Sequence, residues 1–290
     1  MATPTLNPLS SPTSSAIADW LELVTLVTGR RVMSPAKGRE YLEQAGGPSD
    51  EDDVALAFGT LHERCRRGFA LYPFRFSRLG LERIPEADPT VYQFLLLLAS
   101  SMNGTVAFAD SSGASVLFER LTQHAATTLF GPSSRAVRFG HPPEPGRPTA
   151  FADAVRWLAV KLHTRSLPLS GATLRRNDGG VDVVAWREFE DGRAGAPIAA
   201  IQVTFESDLR GKSLEIASNE LDRWMAIAKP VAVLAVPVDG MDDLDLFAEL
   251  SARVLTLDRW RLLQCLDGPE DVPLHGLRPW TEDVIAQLEV

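Results

Sequence analysis

Two segments rich in Val, Ile and Ala flank a polar stretch in the second half of the chain, and this pairing limits the fold more than any other feature. The first segment is Val181–Trp186, which directly follows Asp178-Gly-Gly, and the second is Ala199–Phe205. Glu188–Gly195 lies between them and carries the charged and Gly residues typical of a hairpin turn. We therefore expect two neighbouring antiparallel strands, which excludes an all-helical fold.

The segments around this hairpin alternate between helical and strand patterns. Apolar residues at helical spacing predict four helices: Ser115–Phe130, Phe151–His163, Leu214–Ala228 and Leu244–Ala252. Further strands are predicted at Ala136–Phe139, Pro230–Val238 and Val254–Leu257, and Asp258–Leu266 begins a closing helix. Pro230–Val238 is wholly apolar, as expected at the centre of a sheet. The order predicts an α/β domain over residues 110–290, with helices on a mixed sheet.

The N-terminal part has a different composition. Residues 1–15 are rich in Pro, Ser and Thr and are predicted to be a flexible tail. Residues 16–105 are predicted to form a mostly helical domain, with helices at Ala16–Thr28, Pro35–Ala45, Val54–Gly68 and Thr90–Ser100. Phe69–Phe76 and Gly80–Ile84 are predicted to form a small strand pair. Two interpretations stay open: a winged-helix-like module, and a helical domain for dimerisation or partner docking.

Composition excludes several classes of function. The net charge of -9 argues against wholesale coating of nucleic acid, although a local basic groove is compatible with it. The longest apolar runs, Phe94–Ala99 and Val231–Val236, fall short of the roughly 20 residues that cross a bilayer. No signal peptide is apparent, and Cys65 and Cys265 lie too far apart to suggest a disulfide framework or a cysteine-based zinc site. The default expectation is a cytoplasmic protein without membrane contact.

Common catalytic motifs are also missing from the sequence. The five His residues lack the spacing of zinc hydrolases, and no Gly-x-x-x-x-Gly-Lys-Ser/Thr loop is present. A Gly-x-Ser-x-Gly nucleophile turn is absent as well. These patterns give no support to zinc-dependent hydrolysis, nucleotide hydrolysis or covalent catalysis.

The hairpin region resembles the PD-(D/E)XK, or restriction-endonuclease-like, nucleases, and in particular their Mrr-like branch. The matching segments are Asp178-Gly-Gly-Val-Asp182-Val-Val-Ala185, Ile201-Gln-Val-Thr204, Val231–Val236 and Arg253–Trp260. The resemblance covers residues 115–266. It implies a helix, a Gly-rich strand, a hairpin and a Gln-Cys-Lys or Glu-x-Lys strand, followed by helix, strand, helix and a short strand leading into a helix. The implied fold is a restriction-endonuclease-like mixed sheet flanked by helices.

The resemblance implies a metal site at the mouth of the hairpin. Hydrolysis of a phosphodiester needs a hard cation such as Mg²⁺ or Mn²⁺, which prefers oxygen ligands. Two neighbouring strands bring Asp182 and Gln202 to one edge, where they are the expected metal ligands. An acid within an apolar strand is costly unless it has a partner, which favours a functional role for Asp182.

The sequence departs from the family pattern at two positions. Gln202 replaces an acid, a change that the Mrr-like branch tolerates, and Thr204 stands where the family has a Lys. That Lys stabilises the phosphate or orients the attacking water in the family. Lys212, eight residues farther on, is the expected substitute.

Five further residues are candidates with simpler structural explanations beside them. Glu119 matches a supporting Glu on the preceding helix, or is a solvent-facing helix residue. Asp178 is an auxiliary metal ligand, or a residue favoured by its turn. Arg175, Arg176 and Arg210 are expected to contact phosphates, a role that guanidinium geometry suits, or are ordinary surface charges.

The resemblance implies a metal-dependent DNA endonuclease subunit, of the kind found in bacterial restriction or anti-phage defence. A homodimer and a partner protein such as an ATPase are compatible with this expectation. The alternative is a catalytically degenerate adaptor that keeps the fold and binds nucleic acid or a partner ATPase. The sequence leaves both open, because the fold-defining residues and the missing Lys point in opposite directions.

Overall fold

The computed structural model describes residues 13–68, 70–108, 110–169, 179–240, 243–266 and 275–288. The chain forms two compact units, one of Met1–Ala114, Pro237–Asp242 and Leu274–Val290 and the other of Ser115–Val236 and Asp243–Pro273. A single boundary in the sequence does not describe this division, since two later segments pack with the first unit. Among the described helices, none combines the length and apolar character needed to cross a bilayer.

The first unit is mainly helical. Its helices are α1 (Ser14–Val27), α2 (Pro35–Gln44), α3 (Glu51–Arg67), α4 (Thr90–Met102) and α11 (Leu277–Gln287). The Asp50 carboxylate accepts from the Asp53 backbone N–H, and Gly68 ends α3 in the left-handed conformation. The acidic first turn and basic last turn of α3 both favour the helix dipole. The four predicted helices of this unit are confirmed, whereas α11 was not predicted.

A small sheet completes the first unit. It consists of β1 (Val32–Met33), β2 (Phe74–Ser77) and β3 (Gly80–Arg83), in the order β1-β3-β2, and both pairings are antiparallel. The predicted strand pair is present, but the third strand was missed. A two-residue strand has no alternation that a sequence pattern can reveal, because its pairing with β3 is purely tertiary.

A charged network is buried in the core of the first unit. The side chain of Arg64 is fully buried, and its guanidinium lies 2.8 Å from Asp19, 3.1 Å from Glu22 and 3.4 Å from Asp239. The Tyr72 and Tyr92 hydroxyls each donate to Glu22 at 2.6 Å. Such a network persists because each buried charge has partners.

Five strands form the sheet of the second unit, in the order β4-β5-β6-β7-β8. They are β4 (Ser134–Arg138), β5 (Val183–Arg187), β6 (Ile198–Val203), β7 (Val231–Ala235) and β8 (Leu255–Leu257). β4, β5 and β6 are antiparallel neighbours, whereas β6, β7 and β8 run parallel. The mixed α/β class is thereby confirmed, and β7 lies inside the sheet as its apolar sequence predicts.

The helices of the second unit connect and flank these strands. They are α5 (Ser111–Ala126, which begins in the first unit), α6 (Phe151–Lys161), α7 (Leu209–Ala217), α8 (Leu221–Trp224), α9 (Leu244–Ser251) and α10 (Arg259–Leu266). Parallel strands need crossover connections, and α7 with α8 joins β6 to β7, while α9 joins β7 to β8.

One predicted helix, Leu214–Ala228, is wrong. The chain forms α7 and α8 instead, with α7 starting five residues earlier because the Asp208 carboxylate caps it through the Gly211 N–H at 2.9 Å. The break follows from Asn219, whose side-chain amide donates to the Ile216 carbonyl and whose amide oxygen accepts from the Leu221 N–H. The apolar spacing continued through this break and concealed it.

Candidate functional site

Asp182 immediately precedes β5, which begins at Val183, whereas the sequence predicted that Asp182 lies within the strand. Gly179 and Gly180 precede it with φ of 68° and 77°, a left-handed turn that favours glycine. A Cβ at Gly179 would overlap the ring of Trp224, so the turn also needs glycine for space. The ladder bonds continue past the strand end, because the Asp182 N–H donates to the Ile201 carbonyl at 2.9 Å. The turn therefore places Asp182 at the end of the hairpin.

The carboxylate of Asp182 is partly buried and held by β6. Its Oδ2 accepts from the backbone N–H of Val203 at 2.7 Å. Val183 pairs with Ile201, so one further step along this register sets Asp182 opposite Gln202. The predicted juxtaposition of these two residues across the hairpin is therefore present.

Gln202 lies near the C-terminal end of β6 and is buried, with 6% of its surface exposed. Its Oε1 is buried and has no hydrogen-bond partner among the residues that the structure describes. A buried acceptor without a partner costs roughly 1–3 kcal/mol. The Gln202 oxygen thus has an unmet capacity to accept a hydrogen bond.

Glu119, on α5, converges with Asp182 at Gly140. A Cβ at Gly140 would overlap Glu119 Oε2 and would lie 3.4 Å from Asp182 Oδ1. Gly140 follows β4, and its N–H donates to the Asp182 carbonyl at 2.9 Å. Only a residue without a side chain leaves room for the Glu119 carboxylate in this position. Glu119 is buried, which sets aside its interpretation as a solvent-facing residue.

Arg138, the last residue of β4, is the site residue that the sequence did not reveal. Only 3% of its surface is exposed, and its Nε lies 2.6 Å from Glu119 Oε2. This contact is an ion pair without the alignment of a hydrogen bond, whereas Arg138 Nη1 donates to the Pro142 carbonyl at 2.6 Å. Its Nη2 is buried without a hydrogen-bond partner within the described ranges. The charged residue in a short strand was the signal that could have identified it.

Thr204 and Lys212 show how the site differs from the family pattern. Thr204 follows the last residue of β6, is buried, and its hydroxyl accepts from the Glu206 N–H at 3.1 Å. Lys212 Nζ lies 3.3 Å from Glu206 and 3.7 Å from Glu215. Glu215 Oε1 lies 3.0 Å from where a Gly180 Cβ would be, so this partner of Lys212 lies beside the turn before Asp182.

The charge state of Lys212 follows from these contacts. Partial burial lowers the pKa of Lys212, but the hydrogen bond to Glu206 and the charges of Glu206 and Glu215 outweigh burial. The net effect is a pKa above the ordinary lysine value, so the ammonium stays charged at neutral pH.

The remaining candidates contribute less to this geometry. Asp178, Arg175 and Arg176 lie outside the described residues. Arg210 is exposed at the start of α7, and its Nε lies 2.8 Å from Glu249 Oε2. It is on the same end of the parallel strands as Gln202, because α7 follows β6 directly.

The polar groups at this end of the sheet are of the chemical type that a hard divalent cation prefers. Glu119, Asp182 and Gln202 offer oxygen atoms, the ligands that Mg²⁺ and Mn²⁺ prefer. Within the described part of the chain, no three His, Cys, Asp or Glu residues are grouped as a metal site. A cation here would therefore be held by two carboxylates and an amide, and Arg138 would oppose its binding by charge.

Comparisons of the chain with family models, with curated proteins and with solved structures found no match.

Proposed function

We propose that the second unit is a metal-dependent phosphodiesterase that cuts DNA as an endonuclease. The convergence of Glu119 and Asp182 at Gly140 carries this proposal, because a buried and a partly buried carboxylate are brought close together, and a bound cation would offset the part of that cost that Arg138 does not. The unpartnered oxygen of Gln202, opposite Asp182, supplies a third donor.

The order of elements supports the same proposal. After α5 and β4, the elements α6, β5, β6, α7, α8, β7, α9, β8 and α10 follow one another along the chain. From α6 onwards, and apart from the short additional helix α8, this is the order that the resemblance to restriction-endonuclease-like nucleases implies. In that fold the metal ligands come from the strands of the hairpin, which is where Asp182 and Gln202 lie.

Each residue has a role that its contacts suit. Asp182, fixed by the Val203 N–H, and Glu119 would hold the cation, with Gln202 as third ligand or as the group that orients water. Bound Mg²⁺ supplies an activated water and offsets charge on the phosphate. Lys212, cationic at neutral pH, would offset further phosphate charge in place of the Lys absent at Thr204. Bacterial restriction or anti-phage defence is the setting that the resemblance implies.

The test is digestion of supercoiled plasmid and of single-stranded RNA in Mg²⁺ or Mn²⁺. Asp182→Asn should lower DNA cleavage by about 100-fold or more, because a charged ligand is lost. Asp191→Asn is the matched control, since Asp191 is an exposed acid of the same unit that pairs with Arg193. Wild-type DNA cleavage no greater than that of Asp182→Asn in either metal would refute the proposal.

One observation favours a second candidate, a non-catalytic adaptor for nucleic acid or a partner ATPase. Thr204 stands where the family has its phosphate-binding Lys, and its hydroxyl accepts from the Glu206 backbone N–H. Lys212, the expected substitute, is paired with two carboxylates, so it does not offer a free ammonium in place of that Lys. If the protein is an adaptor, the wild type and Asp182→Asn should bind DNA equally well, and neither should cleave it. DNA binding that responds to metal and to Asp182→Asn would contradict this second candidate.

A further inference from the structure

Arg138 and a divalent cation would compete for the same carboxylate oxygen. Glu119 Oε2 is the atom that lies 2.6 Å from Arg138 Nε, and it is also the Glu119 atom nearest to the Gly140 Cβ position, which lies 3.4 Å from Asp182 Oδ1. An oxygen held by a guanidinium is less available to a cation, and two positive charges this close repel each other. The ion pair therefore sets how strongly the site can bind a metal.

We propose that Arg138 is a positioning residue that holds Glu119 at the site and limits it to one weakly bound divalent cation. This inference rests on the proposed function and deepens it. The described carboxylates at Gly140 are Glu119 and Asp182, and a second cation would need further carboxylates of its own. The positive charge of Arg138 lies at this site and disfavours a second cation there. A bound cation would compete with Arg138 for Glu119, so the guanidinium would act on the site through Glu119 and not through the substrate.

The contacts of Arg138 fit this exchange. Its Nη1 is anchored by the Pro142 carbonyl, which fixes the guanidinium whether or not Glu119 moves. Its Nε and Nη2 are buried and lack aligned hydrogen bonds among the described residues, so the Glu119 contact is electrostatic. An electrostatic contact without aligned hydrogen bonds is easier to exchange than a bidentate pair.

The experiment measures the Mn²⁺ affinity of the full-length protein by calorimetry, without substrate. Arg138→Gln should tighten Mn²⁺ binding at least about tenfold, because the opposing charge is gone. Glu119→Gln should weaken it, and in the Glu119→Gln background Arg138→Gln should tighten binding much less than in the wild type, because only the direct repulsion between Arg138 and the cation remains there. Damage to the fold would instead weaken binding in every variant.

Arg135→Gln is the matched control. Arg135 lies on the same strand, its side chain is 64% exposed, and it pairs with Glu188. Its substitution should leave the Mn²⁺ affinity unchanged. If Arg138→Gln does not fold, Arg138→Lys keeps the buried charge but retracts it from Glu119, and should tighten Mn²⁺ binding about threefold. Unchanged or weaker Mn²⁺ binding in the folded Arg138 variant would overturn the proposal.

Plasmid cleavage separates this inference from the proposed function. If the wild type cuts DNA and the Arg138 variant binds Mn²⁺ no more tightly, the positioning role alone is refuted. If the variant gains Mn²⁺ affinity and neither protein cuts DNA, the nuclease function alone is refuted and the competition between Arg138 and the cation is supported.

Discussion

The close approach at Gly140 makes Gly140→Ala a sensitive probe of the site. A Cβ at this position would overlap Glu119 Oε2, whereas its 3.4 Å distance to Asp182 Oδ1 is an ordinary contact. Gly140 is not among the described residues with positive φ, so alanine strains the site by volume and not by backbone conformation. Because Glu119 is buried and held by its ion pair with Arg138, its carboxylate cannot move aside freely, and overpacking of this kind costs about 1–3 kcal/mol.

Calorimetric unfolding measures this cost. Each kcal/mol corresponds to about 2–4 °C in Tm for a unit of this size. Gly59→Ala is the control, because a Cβ there meets nothing within 4 Å and Gly59 lies inside α3. It should stabilise the protein by about 0.5–1 kcal/mol. The two Gly→Ala changes should therefore alter the free energy of unfolding in opposite directions.

A double-mutant cycle identifies Glu119 as the cause. In a Glu119→Ala background the obstruction is gone, so Gly140→Ala should cost no more than about 0.5 kcal/mol beyond Glu119→Ala itself. The reasoning is refuted if Gly140→Ala is as stable as wild type. It is also refuted if the cost of Gly140→Ala persists in full without the Glu119 side chain.

Three further outcomes follow from the described contacts. Arg64→Met should destabilise the protein by about 3–5 kcal/mol in urea unfolding, because it removes the buried guanidinium shared by three buried carboxylates, while exposed Arg66→Met should change little. Burial raises the pKa of the Cys65 thiol to about 12, so its native reaction with a disulfide reagent at pH 8 should be about 1,000-fold slower than in the unfolded chain. Arg210→Ala removes an exposed pair with Glu249, so stability should change by under about 1 kcal/mol, while the salt dependence of DNA binding should fall by about one phosphate contact. Equal urea midpoints for the Arg64 and Arg66 variants, a fast native Cys65, or an unchanged salt slope would contradict the respective expectation.

The local patterns of the second unit were sufficient to predict its strands. β5 and β6 are rich in Val, Ile and Ala and flank a Gly-containing turn, and β7 is apolar throughout, so the hairpin and the inner strand follow from apolar composition and turn chemistry. The helix break at Asn219 was missed because its cause is a pair of side-chain hydrogen bonds to the backbone. Apolar spacing does not report such bonds.

The candidate site was predicted in part for similar reasons. Asp182 and Gln202 are brought together by a hairpin, which short-range sequence reasoning can describe. Glu119 and Gly140 are brought together by packing of α5 near β4, which no local pattern encodes. Arg138 was missed because a charge in a short strand is common at a sheet edge, and its burial depends on Glu119.

The most direct test of the central claim is the anomalous diffraction of crystals soaked in Mn²⁺. The account predicts one strong peak beside Asp182, with oxygen atoms of Glu119 and Asp182 at about 2.0–2.3 Å and the Gln202 amide oxygen facing it directly or through water. Its height should decrease in Asp182→Asn crystals. The claim is contradicted if the ordered Mn²⁺ lies elsewhere, or if no peak appears while Arg138 remains paired with Glu119.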